Sequence, residues 1–213
     1  MKGKVSKNKF LKVVLPALLV VAIICQAVGF QAVLAKGNVA TTSSDSISNL
    51  TDQQLQALTN PILQSYKADS SHKVWKMTDD SRLAVLANQT NIENARLQEV
   101  VKLVNSEFVE KEIISSPLAM VYAQEKDVSY GDILIDIDQT SSITSSSNSK
   151  EAYKITIGEN GVRLTGASEN AIMHGLRTIQ NLIITNDGLV YGEIVDYPNV
   201  AERRVHVDCA RKY

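Results

Sequence analysis

Residues 153–183 set a hairpin directly before an amphipathic helix, and few folds accommodate that pairing. Tyr153, Ile155 and Ile157 alternate with Lys154 and Thr156; Glu159-Asn160-Gly161 supplies turn residues; Val162-Arg163-Leu164-Thr165 then alternates again. Two period-two runs joined by a short glycine-containing turn predict an antiparallel hairpin. Ser168 comes next, where a side chain can cap a helix, and Ile172, Gly175, Leu176, Ile179, Leu182 and Ile183 recur at helical spacing. An apolar hairpin face and the helix stripe after it each need a partner, and each is the nearest one for the other. Asn186-Asp187-Gly188 ends the helix, and Leu189 to Val195 predicts one more strand before Pro198.

The same alternation of strand and helix signals extends upstream. Ser81 to Leu86 predicts a short strand. Thr90 and Glu93 have the spacing of a capping box, with Leu97, Val100, Val101, Val104 and Phe108 following on one helical face. Leu118 to Ala123 reads as a buried strand. Asp132 to Asp138 alternates aspartates with Ile133, Ile135 and Ile137, which predicts a strand with one wet face. The resulting order predicts an α+β fold, a small sheet with two helices on one face, over about Trp75 to Val195. Thr140 to Ser149 is a serine-rich loop. Before the domain, Lys36 to Ser48 is polar, and Thr51 to about Lys67 predicts a helix capped by Thr51 and Gln54 and broken or kinked at Pro61. Residues 36–70 are thus expected to be a tether with a short helix, and residues 71–197 the α+β domain.

Residues 1–35 have the layout of a secretory signal peptide. Lys2, Lys4, Lys7, Lys9 and Lys12 precede an apolar run from Val13 to Cys25, interrupted only by Pro16, and Val33-Leu34-Ala35 offers a small-residue cleavage site. The competing reading is an uncleaved anchor, but the apolar run is shorter than the roughly 20 residues that span a bilayer. Membrane contact is therefore expected only through this segment before cleavage, and the product is expected to be secreted or at the cell surface. Removing the five lysines from 22 basic and 23 acidic residues leaves 17 basic and a formal net charge of −6. An acidic exported chain argues against nucleic acid as a partner. Cys209, the one cysteine left, reads as a small core residue.

Motifs of common chemistry are missing. His72, His174 and His206 lie far apart, there is no HExxH, GxSxG or phosphate loop, and neither a metal nor another cofactor is expected. Asp132, Asp136 and Asp138 could gather a cation, but alternating acids are more ordinarily the solvated side of a strand. Asn49-Leu50-Thr51 and Asn88-Gln89-Thr90 match glycosylation sequons.

The segment Ile194 to Tyr213 begins a new strand. A proline-marked loop leads to Arg203 and an alternating run that ends at Asp208. Gly175-Leu176-Arg177-Thr178 in the second helix, the Asp196-Tyr197-Pro198 loop, and then Arg203, Arg204, Asp208 and Arg211 come in the order and spacing of a known pattern. Upstream, Gly131-Asp132-Ile133 and Ser81-Arg82 fit as well. From about Trp75 to Tyr213 the chain resembles glycoside hydrolase family 20, the β-N-acetylhexosaminidases and lacto-N-biosidases. The resemblance implies that residues 71–197 are an accessory N-terminal domain and that residues 198–213 open an incomplete (β/α)8 catalytic barrel. It implies that Arg203 grips hydroxyls of a terminal N-acetylhexosamine, for which a planar guanidinium fork is suited. A salt bridge of Arg203 to Glu202 or Asp208 is the alternative. Asp208 and Arg211 are expected to hold the strand end rather than touch sugar. Arg204 departs from the family, which commonly has Gly or Ser there.

The resemblance further implies a retaining reaction in which the substrate's acetamido oxygen attacks the anomeric carbon, served by an adjacent Asp-Glu pair. No Asp-Glu dipeptide occurs in the chain. The chain is therefore expected to be the front portion of such an enzyme and inactive alone. A non-catalytic secreted carbohydrate-binding or surface module is the competing reading, although aromatic content is only 5%.

Overall fold

A computed structural model of the chain describes residues 47–139, 143 and 150–200. Nine strands and four helices are described, in the order α1 (Asp52–Gln56), β1 (Ser65–Ala68), β2 (Val74–Trp75), β3 (Arg82–Leu86), α2 (Gln89–Ile92), α3 (Ala95–Glu110), β4 (Ala119–Ala123), β5 (Ile133–Ile137), β6 (Tyr153–Gly158), β7 (Gly161–Gly166), α4 (Glu169–Asn186), β8 (Leu189–Val190) and β9 (Gly192–Asp196). Seven strands form one mixed sheet in the order β1-β9-β6-β7-β5-β3-β4, while β2 and β8 pair separately. The half from β7 to β4 is parallel; β1, β9, β6 and β7 are antiparallel neighbours. This is a mixed α+β fold, as the sequence predicts, but its sheet is large where a small one is expected, because β1 and β9 add to it from segments far apart in the chain.

The two long helices share one face of the sheet and one core. Leu97, Val100, Val101, Val104 and Phe108 of α3, and Ala171, Ile172, Leu176, Ile179 and Leu182 of α4, are all buried in it. They meet Leu83 and Val85 of β3, Ile133, Ile135 and Ile137 of β5, and the alternate apolar residues of the hairpin. Gly175 permits the closest approach: a Cβ there would run into the side chains of Leu164 and Tyr153. Ala84, Ala123 and Leu134 form a small second cluster separate from this core.

Several expectations need correction. The helix expected up to about Lys67 covers only Asp52–Gln56, although Thr51 and Gln54 do form the predicted capping box. Residues 57–64 form turn and loop, and only the last part joins β1, which pairs antiparallel with β9. Residues 47–70 are built into the domain: Ile47, Leu55, Leu63 and Tyr66 are core residues. Short-range spacing cannot show this, because the partner strand lies well over 100 residues later. Thr90 and Glu93 do not start α3. Asn88 caps α2 and Asn94 caps α3, each side chain accepting an N–H three residues on. Strand β4 is less buried than expected because it is the sheet edge, with β3 alone beside it. Leu189 to Val195 is two strands, broken at Tyr191, with Gly192 opening the second. Its φ of +149° favours glycine, and a Cβ would strike the backbone of Lys67.

The β5 aspartates are not on a wet face. Asp132 is 2% and Asp136 7% exposed. Arg82 of β3 donates to Asp132 through Nε (2.9 Å) and Nη2 (2.5 Å), and the Ser129 N–H adds a third bond at 2.7 Å. Asp136 accepts from Asn88 (3.1 Å), Asn91 (3.0 Å) and Arg163 (3.2 Å). Arg163 also pairs with Glu125. Each carboxylate has charged and neutral donors, as burial requires.

Candidate functional site

Residues 196–200 run along a cleft of about 540 Å³. One wall is the loop before β1, with Ile62 at its rim. The other is α4, which presents His174, Arg177 and Thr178. The floor is Tyr153 at the start of β6, and the segment after β9 runs along it to Val200. Helix α4 places Thr178 beside Tyr153 because Gly175 and Leu176, one turn earlier, are packed on the sheet.

The polar groups of the cleft engage one another. The Tyr153 hydroxyl donates to Asp196 Oδ2 at 2.8 Å and lies 2.6 Å from Thr178 Oγ1. A phenol has a single proton, so Thr178 is the donor of that second bond. Burial, reinforced by the Asp196 charge, pushes the Tyr153 phenol far above its ordinary value, so it stays a donor. The Gln64 N–H donates to Asp196 Oδ1 at 3.2 Å. Arg177 forms a two-pronged pair with Glu107 of α3, at 3.1 and 2.6 Å. The hydrogen bonds from Arg177 hold the Glu107 carboxyl below its ordinary range. Two further tyrosines border the domain's other end: burial and a hydrogen bond with Tyr130 push Tyr191 up to about 12.

Arg203, Asp208, Arg211, Arg204 and Cys209 lie outside the described residues. Among the described residues no cluster of three or more His, Cys, Asp or Glu could hold a metal ion. The same residues include no helix long and apolar enough to cross a membrane. Asn88, a sequon asparagine, spends its amide on Asp136 and on capping α2, so a glycan there would displace both bonds. Asp196 stands beside a loop that its proline already marks in the sequence, whereas Gln64 lies in the stretch expected to be helical. No local pattern marks it.

A mixed sheet with both long helices on one face, and a cleft between α4 and the loop before β1, defines an α+β domain. The family model for glycosyl hydrolase family 20, domain 2, matches residues 59–197, close to two thirds of the chain. The protein therefore belongs to glycosyl hydrolase family 20, and residues 59–197 are its domain 2. Solved structures are similar in fold. The Streptomyces plicatus N-acetyl-β-hexosaminidase in complex with thio-NAglucal superposes with a TM-score of 0.50 at 14% identity, covering 71% of this chain and 28% of that one. A chitobiase of Flavobacterium johnsoniae gives 0.50 at 15% identity, covering 70% of this chain and 22% of that one. The chain thus spans about a quarter of the length of these enzymes. No curated protein sequence matches it.

Proposed function

We propose that this chain is the N-terminal part of an exported β-N-acetylhexosaminidase that removes terminal N-acetylhexosamine from glycans. The observation that carries this reading is the domain 2 match over residues 59–197. Two things support it: the structural likeness to a hexosaminidase and a chitobiase, and the basic and apolar leader before Lys36. The full enzyme works by substrate assistance. The acetamido oxygen attacks the anomeric carbon as the leaving oxygen is protonated, and water then opens the intermediate with retention. An aspartate orients the acetamido group and a neighbouring glutamate moves the proton. Arg203 grips hydroxyls of the terminal sugar, and Asp208 and Arg211 support the strand that carries it.

Neither member of the acid pair can come from this chain, which has no Asp-Glu dipeptide. Domain 2 serves as the support on which a catalytic barrel is mounted. The test is an assay on a chromogenic N-acetylglucosaminide. The mature chain from Lys36 is compared with a version extended through its downstream reading frame. The extended protein is expected to hydrolyse the substrate and the short one to show only background. Activity in the short chain would refute the need for downstream residues. Inactivity of both, with the extended protein folded, would point instead to a carbohydrate-binding module.

A further inference from the structure

The two edges of the seven-stranded sheet are finished differently. At one edge, β1 carries Lys67 and packs with α1, whose Asp52 accepts the Ala68 N–H at 3.0 Å. At the other edge, β4 has β3 as its only neighbour among the described residues. Its sequence, Ala119-Met120-Val121-Tyr122-Ala123, holds no charge, proline or glycine, and no charge occurs from Ile113 to Gln124. Charges and prolines are the usual means of blunting an edge, because unpaired N–H and C=O groups template a further strand. The Ala87 N–H donates to the Ala123 carbonyl at 2.9 Å, on the β3 side of β4. Backbone groups alternate sides along a strand. Ala119, Val121 and Ala123 therefore address β3, while Met120 and Tyr122 each turn an N–H and a C=O toward the open edge. The Tyr122 side chain is itself 48% exposed.

We infer that β4 is a self-association edge, which pairs antiparallel with β4 of a second copy of this chain about a two-fold axis at Val121. This pairing is independent of the function proposed above. The register selects the occupant. The two residues with outward backbone groups flank Val121 symmetrically, so in an antiparallel pair Met120 of one copy lies opposite Tyr122 of the other and exchanges both N–H···O bonds with it. The axis repeats that exchange and sets Val121 against its own counterpart as a non-hydrogen-bonded pair. Met120 and Tyr122 lie on the helix side of β4, where Met120 packs against the main core. The pairing therefore brings each exposed Tyr122 ring beside the other copy's Met120, a favourable sulfur–aromatic contact. From Leu118 to Gln124 every residue meets an uncharged one, so no like charges face each other. A single strand pair buries less than the roughly 1,600 Å² of a standard interface, so the dimer is weak and forms at high concentration.

The test uses the mature chain from Lys36 in a Cys209→Ser background, so that an introduced cysteine is its sole thiol. In sedimentation velocity this parent is expected to be a monomer at about 1 µM and increasingly a dimer toward about 1 mM. Val121→Lys sets like charges opposite each other at the axis and is expected to weaken association at least about tenfold. Ala119→Lys, at an exposed position of the same edge, is expected to weaken it as well and keeps the test decisive if the half-buried Val121 site tolerates lysine poorly. Thr156→Lys adds the same charge at an exposed position of β6, in the middle of the sheet, and is expected to leave association unchanged. Val121→Cys reads the register. Its two Cα atoms would lie about 4.5 Å apart across the axis, within disulfide range, so oxidation is expected to give a covalent dimer. Ala119→Cys, which would face Ala123 of the other copy, is expected to give none. A folded parent that stays monomeric at about 1 mM would overturn the inference and leave the edge to a strand of another protein. A dimer that keeps its strength in folded Val121→Lys and Ala119→Lys would place the contact elsewhere and overturn it too. Crosslinking through Ala119→Cys in place of Val121→Cys would overturn the register.

Discussion

Asp132 keeps its charge at 2% exposure because three donors converge on it: two from Arg82 and one from the Ser129 N–H. Burial by itself raises a carboxyl, but here the Arg82 and Ser129 bonds outweigh it and the group sits below its ordinary value. A carboxyl whose folded value is lowered stabilises the protein above its unfolded value of about 4. That contribution is lost as pH falls through the folded value. Asp132→Asn should therefore lower stability at neutral pH and flatten its acid dependence. Urea midpoints from about pH 6 to about pH 2 read this out, and parallel loss in the variant and the wild type would refute it. Glu107, also held low by its arginine, keeps part of the acid dependence in both. The pattern of alternating acids could not show this burial. Period two places Asp132, Leu134 and Asp136 on one side of β5, but whether water lies there depends on Arg82 and Arg163 from the neighbouring strands. Which strands flank β5 is a long-range property, and the spacing within β5 does not encode it.

At the scale of elements, helix α4 is the easiest to read, because cap, stripe and stop all agree. Ser168 accepts the Ala171 N–H at 3.3 Å and also donates to the Lys150 carbonyl, so it both starts the helix and fastens the chain before β6. Ser168→Ala should cost about 1 to 2 kcal/mol, the upper part of the range for a lost cap, because both bonds go. A shift in denaturant midpoint at constant slope would measure it, and a loss below about 0.3 kcal/mol would show that the cap carries no weight. The start of α3 is harder. Thr90 and Glu93 imitate a capping box, while the side chains that do the capping, Asn88 and Asn94, also reach Asp136 and Glu169. An asparagine that serves two elements leaves only half of its signature in the local sequence. The hydrogen bond between Gln64 and Asp196 is a further step removed. Asp196 stands beside a recognisable loop, but Gln64 reaches it across 132 residues.

For the whole molecule, the sheet has to be closed at the β9 edge. Strand β1 does this, and with it come Leu55, Leu63 and Tyr66, whose hydroxyl donates to the Val190 carbonyl at 2.8 Å. Burial drives the Tyr66 phenol well above its ordinary value, so that donor persists at any working pH. The stretch expected to be a tether with a short helix thus supplies a structural part of the domain from Ile47 onward. Two truncations test this. The mature chain from Lys36 should melt cooperatively. A chain beginning at Ser70 lacks Tyr66, and losing one buried aromatic of this size costs about 3 to 5 kcal/mol. It also exposes β9 as a free, pairing-competent edge. A domain of this size has about 5 to 15 kcal/mol in total, so the shorter chain should show no cooperative melt by circular dichroism and should aggregate. A cooperative melt near the temperature of the longer chain would mean that residues 36–69 are a tether after all.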